Sequence, residues 1–238
     1  MFKLALNAGH GLFTAGKRCK KSLDPKQTRE WWLNDRICDK IENILSDYDG
    51  IEVLRIDDTK GQTDVPLADR VKKANDFGAD LYLSIHHNAG IYGGSGGGLM
   101  AYVYNNASKA SLEWQNVLYN AAITATGLKG NRSQPKATAN FYENRMTAMP
   151  SVLMECGFMD SKTDVPIILS EEFADKLARA FCDVIVDRAG AKPKKDSRRY
   201  RVQVGSYLYR QNAEVMLITP AITSGVGSQP QDLRGSFS

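Results

Sequence analysis

Three short apolar runs in this chain each end in a side chain that can bind a metal or move a proton. Leu4-Ala5-Leu6-Asn7-Ala8-Gly9 closes at His10, Leu81-Tyr82-Leu83-Ser84-Ile85 closes at His86 and His87, and Val152-Leu153-Met154 closes at Glu155. The chain has 3 histidines in 238 residues, and each of them sits at such an end. Apolar runs of this length suit strands covered on both faces. In an open α/β sheet, strand ends are where ligands and catalytic groups collect. The chain is thereby constrained to a fold that sets these ends side by side.

Periodicity along the chain agrees with that constraint. Strand-like runs fall at about 2–8, 51–57, 80–86, 98–104 and 151–156. Between them, 29–46 sets Leu33, Ile37 and Ile41 on one helical face, and 66–77 starts near Pro66 and stops at Gly78. The stretch 109–126 ends at Gly127, and 170–188 opens at Ser170 with Glu171 and Glu172 in its first turn. Alternating strands and helices predict an α/β fold, a single twisted, mostly parallel sheet flanked by helices, with a short C-terminal appendage. Polar or glycine-rich loops at 11–28, 89–98 and 128–150 are placed to frame a groove. The tract at 89–98 is not a phosphate loop, since no Gly-Lys-Ser/Thr ending follows it, and it reads as flexible backbone beside a long substrate.

Charge divides the chain. Residues 191–238 carry eight Lys/Arg against three Asp/Glu, so the first 190 residues are close to neutral. The expected organisation is a main domain at 1–190, a basic linker at 191–199, and a segment at 200–238 that is poorly ordered after about 218. A basic tail alone specifies a partner weakly, and nucleic acid is not the expected one. No apolar run reaches the roughly 18–20 residues of a membrane span. Met1-Phe2-Lys3-Leu4 runs straight into a strand without a secretory pattern, so synthesis in the cytoplasm without a signal peptide is expected. Cys19, Cys38, Cys156 and Cys182 form no C-x-x-C pair and read as reduced thiols. Cys156 follows Glu155 but points to the opposite face of a strand, which favours a buried residue over a nucleophile.

Two strand-end imidazoles and a carboxylate are a ligand set for zinc, and two His with one Glu plus a water is a hydrolytic arrangement. His10 and His86 supply the imidazoles. A third ligand near a strand end or helix start fits Glu30, although spacing leaves Asp24, Glu143 and Asp160 as competitors. Glu155 is then the catalytic carboxylate, able to take a proton from water and return it to a departing amine.

Leu4–His10, Thr28-Arg29-Glu30 with Asn34, Leu67–Asn75, Asp80–Asn88 and Pro150–Phe158 together resemble, in order and spacing, the zinc-dependent N-acetylmuramoyl-L-alanine amidases of the amidase-3 family. These are bacterial autolysins and phage endolysins, and the resemblance covers about residues 1–187. It implies one Zn²⁺ held by His10, Glu30 and His86, with Glu155 as the catalytic glutamate. It also implies hydrolysis of the amide between N-acetylmuramic acid and the first L-alanine of the peptidoglycan stem peptide. His87 is read as a neighbour of the site, Arg70 and Asn75 as structural, and Asn88 as a substrate contact. A zinc endopeptidase acting within the stem peptide and a non-catalytic wall-binding protein are the rival readings. Tyr200–Leu217 resembles the opening strand and helix of a SPOR domain, a glycan-binding module, without its later strands. Action on the wall would follow lysis or release through a holin-type partner.

Overall fold

A computed structural model describes residues 1–194, so the linker beyond Lys194 and the SPOR-like segment lie outside the described residues. In chain order the elements are β1 (Phe2–Ala8), α1 (Glu30–Leu45), β2 (Tyr48–Asp49), β3 (Ile51–Arg55), α2 (Leu67–Phe77) and β4 (Leu81–Asn88). They continue with β5 (Leu99–Tyr104), α3 (Lys109–Thr126), β6 (Lys136–Ala139), α4 (Tyr142–Met146) and β7 (Ser151–Phe158). The described part closes with α5 (Val165–Ile168), α6 (Glu171–Ala189) and β8 (Lys192–Pro193).

Six strands form one sheet in the order β3-β1-β4-β7-β5-β6. The first four run parallel, while β5 pairs antiparallel with β7 and parallel with β6. The sheet is thus mostly parallel and covered on both faces. Leu4, Leu6, Leu81, Leu83, Val152 and Met154 join the larger core beneath α1, α3 and α6, which includes Ile37, Leu118 and Phe181. On the other face a smaller cluster of Ala5, Tyr82, Ile56 and Ala74 packs toward α2. Because side chains alternate along a strand, this register sends Asn7, Ser84, His86 and Glu155 to the α2 face. These four side chains therefore share one side of the sheet.

Helix boundaries follow their capping chemistry. The Ser170 hydroxyl accepts from the Phe173 amide at 3.2 Å, and the Ser108 hydroxyl accepts from the Ser111 amide at 3.1 Å. Two elements fall where only loop was expected. The 128–150 stretch contains edge strand β6 and the five-residue helix α4. The first residues of the expected linker are paired through their backbone. Lys192 and Pro193 pair antiparallel with Asp49 and Tyr48, and the Lys194 amide donates to the Asp47 carbonyl at 2.7 Å. Backbone pairing, which the charged composition conceals, holds these residues.

The 89–98 tract is also better anchored than its glycines suggest. One oxygen of Asp160, Oδ2, accepts from the amides of Gly90, Ile91 and Tyr92 at 2.7–2.9 Å. The Gly98 amide donates to Asp164 Oδ2 at 2.7 Å. Gly98 has φ 91°, and a Cβ there would strike the backbone of Gly130, so only glycine allows this crossing. All four cysteines are buried and free.

Candidate metal centre and catalytic cleft

Parallel pairing of β1 with β4 puts Ala8 opposite Ile85, so His10 and His86 emerge from neighbouring strand ends. Their rings meet edge to face, with centroids 5.0 Å apart. Gly9 makes the approach possible, since a Cβ on it would lie inside the His86 ring. His10 adopts φ 67°, a left-handed conformation that non-glycine residues reach only under constraint. Buried Arg70 supplies that constraint. Its guanidinium donates to the His10 carbonyl at 3.1 Å, the Ala8 carbonyl at 2.9 Å, the Val65 carbonyl at 2.8 Å, Asp64 Oδ1 at 3.0 Å and Asn7 Oδ1.

Glu30 is the first residue of α1, where the helix dipole favours a carboxylate. Its Oε1 lies 3.4 Å from His10 Nε2 and 3.2 Å from His86 Nδ1, and it accepts from the His87 amide at 3.2 Å. Burial opposes its charge, yet hydrogen bonding to His10 and His86 outweighs this and holds the carboxyl well below the ordinary range. Burial likewise opposes a charged His86, but Glu30 reverses the direction and raises its pKa. Ligand-type atoms of His10, Glu30 and His86 all lie within 4.8 Å of one another. Glu30 Oε2 and His86 Nε2 are buried without a hydrogen-bond partner among the described residues. Orphaned polar atoms in a His/Glu/His set fit a zinc ion well. Gly9→Ala is expected to displace His86 and weaken zinc binding about 10–100-fold, as losses of supporting groups at metal sites do. Zinc titration of the purified variant checks this, and an unchanged affinity would remove His86 from the ligand set.

Glu155 stands on β7 directly opposite His86 on β4. The β4–β7 register shifts between His86 and Asn88, and an irregularity of this kind re-aims side chains near a site. Burial pushes the Glu155 carboxyl up to about 7, with His86 pulling it down and Glu30 pushing it up. Its Oε2 has no partner among the described residues. Glu155 lines a cleft of about 350 Å³ with Glu30, Lys17, Asn88 and Met159. The Lys17 ammonium lies 3.7 Å from Glu30 Oε2. Asn88 faces this cleft, and its Oδ1 accepts from its neighbour's amide at 2.8 Å.

The other residues weighed from sequence separate clearly. Asp24 holds a turn through the amides of Lys26 and Thr28, and Asp160 holds the 90–92 loop. Glu143 is buried on α4 beside the histidines, and it lines a second cleft with His10 and His86. His87 points to the α1 side, its Nδ1 2.8 Å from Asn34 Oδ1, and burial lowers its pKa to about 3. Cys156 is buried, with its thiol pKa raised well above the ordinary value by burial. Asn75 bridges to the Met146 carbonyl and the Ala148 amide, a structural role. Lys17 and Asp64 belong to the site's surroundings but carry no spacing signal that would have singled them out.

Residues 4–187 match the model of a family described as N-acetylmuramoyl-L-alanine amidase. The chain belongs to the N-acetylmuramoyl-L-alanine amidase family. A sporulation-specific N-acetylmuramoyl-L-alanine amidase of Bacillus subtilis (strain 168) is 31% identical over 219 residues, which span 90% of this chain and 78% of the relative. An endolysin of Bacillus phage SPP1 is 28% identical over 200 residues, 81% of this chain and 70% of the phage protein. An N-acetylmuramoyl-L-alanine amidase from Clostridium difficile 630 superposes with a TM-score of 0.71 at 27% identity, covering 82% of this chain and 98% of that structure. Family membership accounts for the mostly parallel sheet flanked by helices. Among the described residues, no helix is long and apolar enough to cross a membrane.

Proposed function

We propose that the protein hydrolyses the amide between the lactyl group of N-acetylmuramic acid and the first L-alanine of peptidoglycan stem peptides. Its site consists of His10, Glu30 and His86 as zinc ligands and Glu155 as the proton-transferring group. The observation that carries this reading is the convergence of those three side chains beside Glu155, a carboxyl raised to about 7. A zinc ion bound there would supply a Lewis acid for the amide carbonyl and lower the pKa of a water molecule.

The chain's own residues do the rest. Glu155 accepts a proton from the attacking water as the water oxygen bonds to the carbonyl carbon. It then delivers that proton to the alanine nitrogen as the C–N bond breaks. One carboxyl serves in both directions because its pKa lies near neutral pH. Glu30, kept ionised by His10 and His86, holds both imidazoles in place. Asn88, on the Glu155 side, is the proposed substrate contact. Relatives named as an endolysin and a sporulation-specific amidase support action on the wall, and release through a holin-type partner or from a mother cell is the route proposed with it.

Digestion of purified peptidoglycan tests the reading. New N-terminal alanine without new reducing sugar ends is expected, and a strong chelator should abolish the reaction until zinc is returned. New reducing ends would indicate a glycosidase. Peptides cut within the stem would indicate an endopeptidase, and wall binding without any cleavage would indicate a binding module.

A further inference from the structure

The centre also opens into a second cleft of about 370 Å³ whose lining includes His10, Asp64, Leu67, Arg70, His86 and Glu143. Its charge character is unusual. Arg70 is the cation in this wall, yet its side-chain N–H groups are committed to Val65, Asn7, Ala8, His10 and Asp64. Asp64 is taken as well, its Oδ1 by Arg70 and its Oδ2 by the Thr14 hydroxyl at 2.7 Å, so the carboxylate left to meet a ligand is Glu143.

Glu143 is placed to do so. It is 4% exposed and comes from α4, which packs on the same sheet face as His86. Its Oε1 accepts from Asn7 Nδ2 at 3.0 Å and from the Tyr82 hydroxyl. Asn7 is itself fixed by Ser84 Oγ at 2.8 Å and by Arg70. One oxygen is thus locked by a buried network, while no described residue donates to Oε2. A carboxylate fixed through one oxygen, on a residue that lines the cleft, offers the other oxygen as a preoriented acceptor for a ligand.

We propose that Glu143 Oε2 accepts a hydrogen bond from the sugar half of the substrate. This rests on the amidase reading above and adds an orientation to it. A muramoyl peptide has two unlike halves, one offering neutral acetamido N–H and hydroxyl donors and the other carrying peptide carboxylates. Glu143 in this cleft attracts the donors and repels the carboxylates. The stem peptide then runs into the cleft of Lys17 and Asn88, and the scissile amide lies between, over the centre.

Glu143→Gln in the full, zinc-loaded chain is the test. Glutamine keeps a carbonyl oxygen for Asn7 and Tyr82 but replaces the free acceptor with a donor. Melting temperature and zinc stoichiometry should stay as in the wild type. The KM for N-acetylmuramoyl-tripeptide should rise about tenfold, the scale of one hydrogen bond to a charged group, with kcat nearly unchanged. Inhibition by free N-acetylmuramic acid should weaken in parallel, and inhibition by the free tripeptide should not change. An unchanged KM, or equal weakening for the tripeptide, overturns the proposal. If the variant loses its fold or its zinc, Tyr82→Phe decides, because it keeps the carboxylate and removes one of its two anchors. A raised KM there supports the proposal and an unchanged one overturns it. A wild type that releases no N-acetylmuramic acid defeats the amidase reading instead, and calorimetric titration of N-acetylmuramic acid into wild type and Glu143→Gln still tests Glu143.

Discussion

Replacing Glu155 by glutamine is expected to remove turnover while leaving the protein folded and loaded with zinc. The amide has the carboxyl's shape but cannot carry the proton from water to the leaving nitrogen, a loss of about 10²–10⁴-fold in kcat. Steady-state release of N-acetylmuramic acid from N-acetylmuramoyl-tripeptide, alongside zinc analysis of the same sample, separates chemistry from metal binding. Full activity in the variant would end the assignment of Glu155. The substitution should also stabilise the metal-free protein, with a definite pH dependence. Glu155 has its folded pKa raised from 4.5 to about 7, so its contribution to stability is present below pH 4.5 and is lost as pH rises through 7. The loss amounts to about 3 kcal/mol at pH 8. Glutamine has no charge to bury, so urea denaturation should favour the variant at pH 8, and the gap should close near pH 4.

Arg70→Met is expected to be the most damaging single change to the fold. Methionine matches much of the buried stem but supplies none of the hydrogen bonds to Val65, Ala8, His10, Asn7 and Asp64. Three main-chain carbonyls and an amide oxygen lose their donor together. At about 1–3 kcal/mol for each acceptor left buried and unpaired, with some of them recovered by water, a net loss of about 3–5 kcal/mol follows. That is a large share of the 5–15 kcal/mol typical of a domain. Arg70→Lys should recover little, because one ammonium cannot reproduce a fork that binds on several sides. Chemical denaturation of the zinc-free protein measures the effect, and a loss below about 1 kcal/mol would mean that neighbouring groups replace the guanidinium.

Strand ends were legible in the sequence because burial on both faces leaves continuous apolar runs, and the polar residue that stops each run stands out. Hence β1, β4 and β7, with His10, His86 and Glu155, could be placed from the chain alone. Glu30 could not be singled out by spacing, since nothing local distinguishes it from Asp24 or Asp160. Its position depends on how α1 crosses the sheet edge, and the family resemblance supplied the choice. β6 and α4 escaped because a four-residue edge strand and a five-residue helix carry too few periods to register. The network around Glu143 was less legible still. Asn7 and Glu143 are 136 positions apart, and only the tertiary fold tells a held carboxylate from a solvated one.

The four buried cysteines bear on where this fold can work. Thiol exchange and oxidation proceed through the thiolate and need access to it. Burial pushes Cys19 and Cys182 up to about 12 and raises Cys38 and Cys156 well above the ordinary thiol value. In the folded domain all four are sealed from oxidants and from each other's reach through solvent. The thiols of this domain are thereby insulated from the redox state of the surrounding solvent.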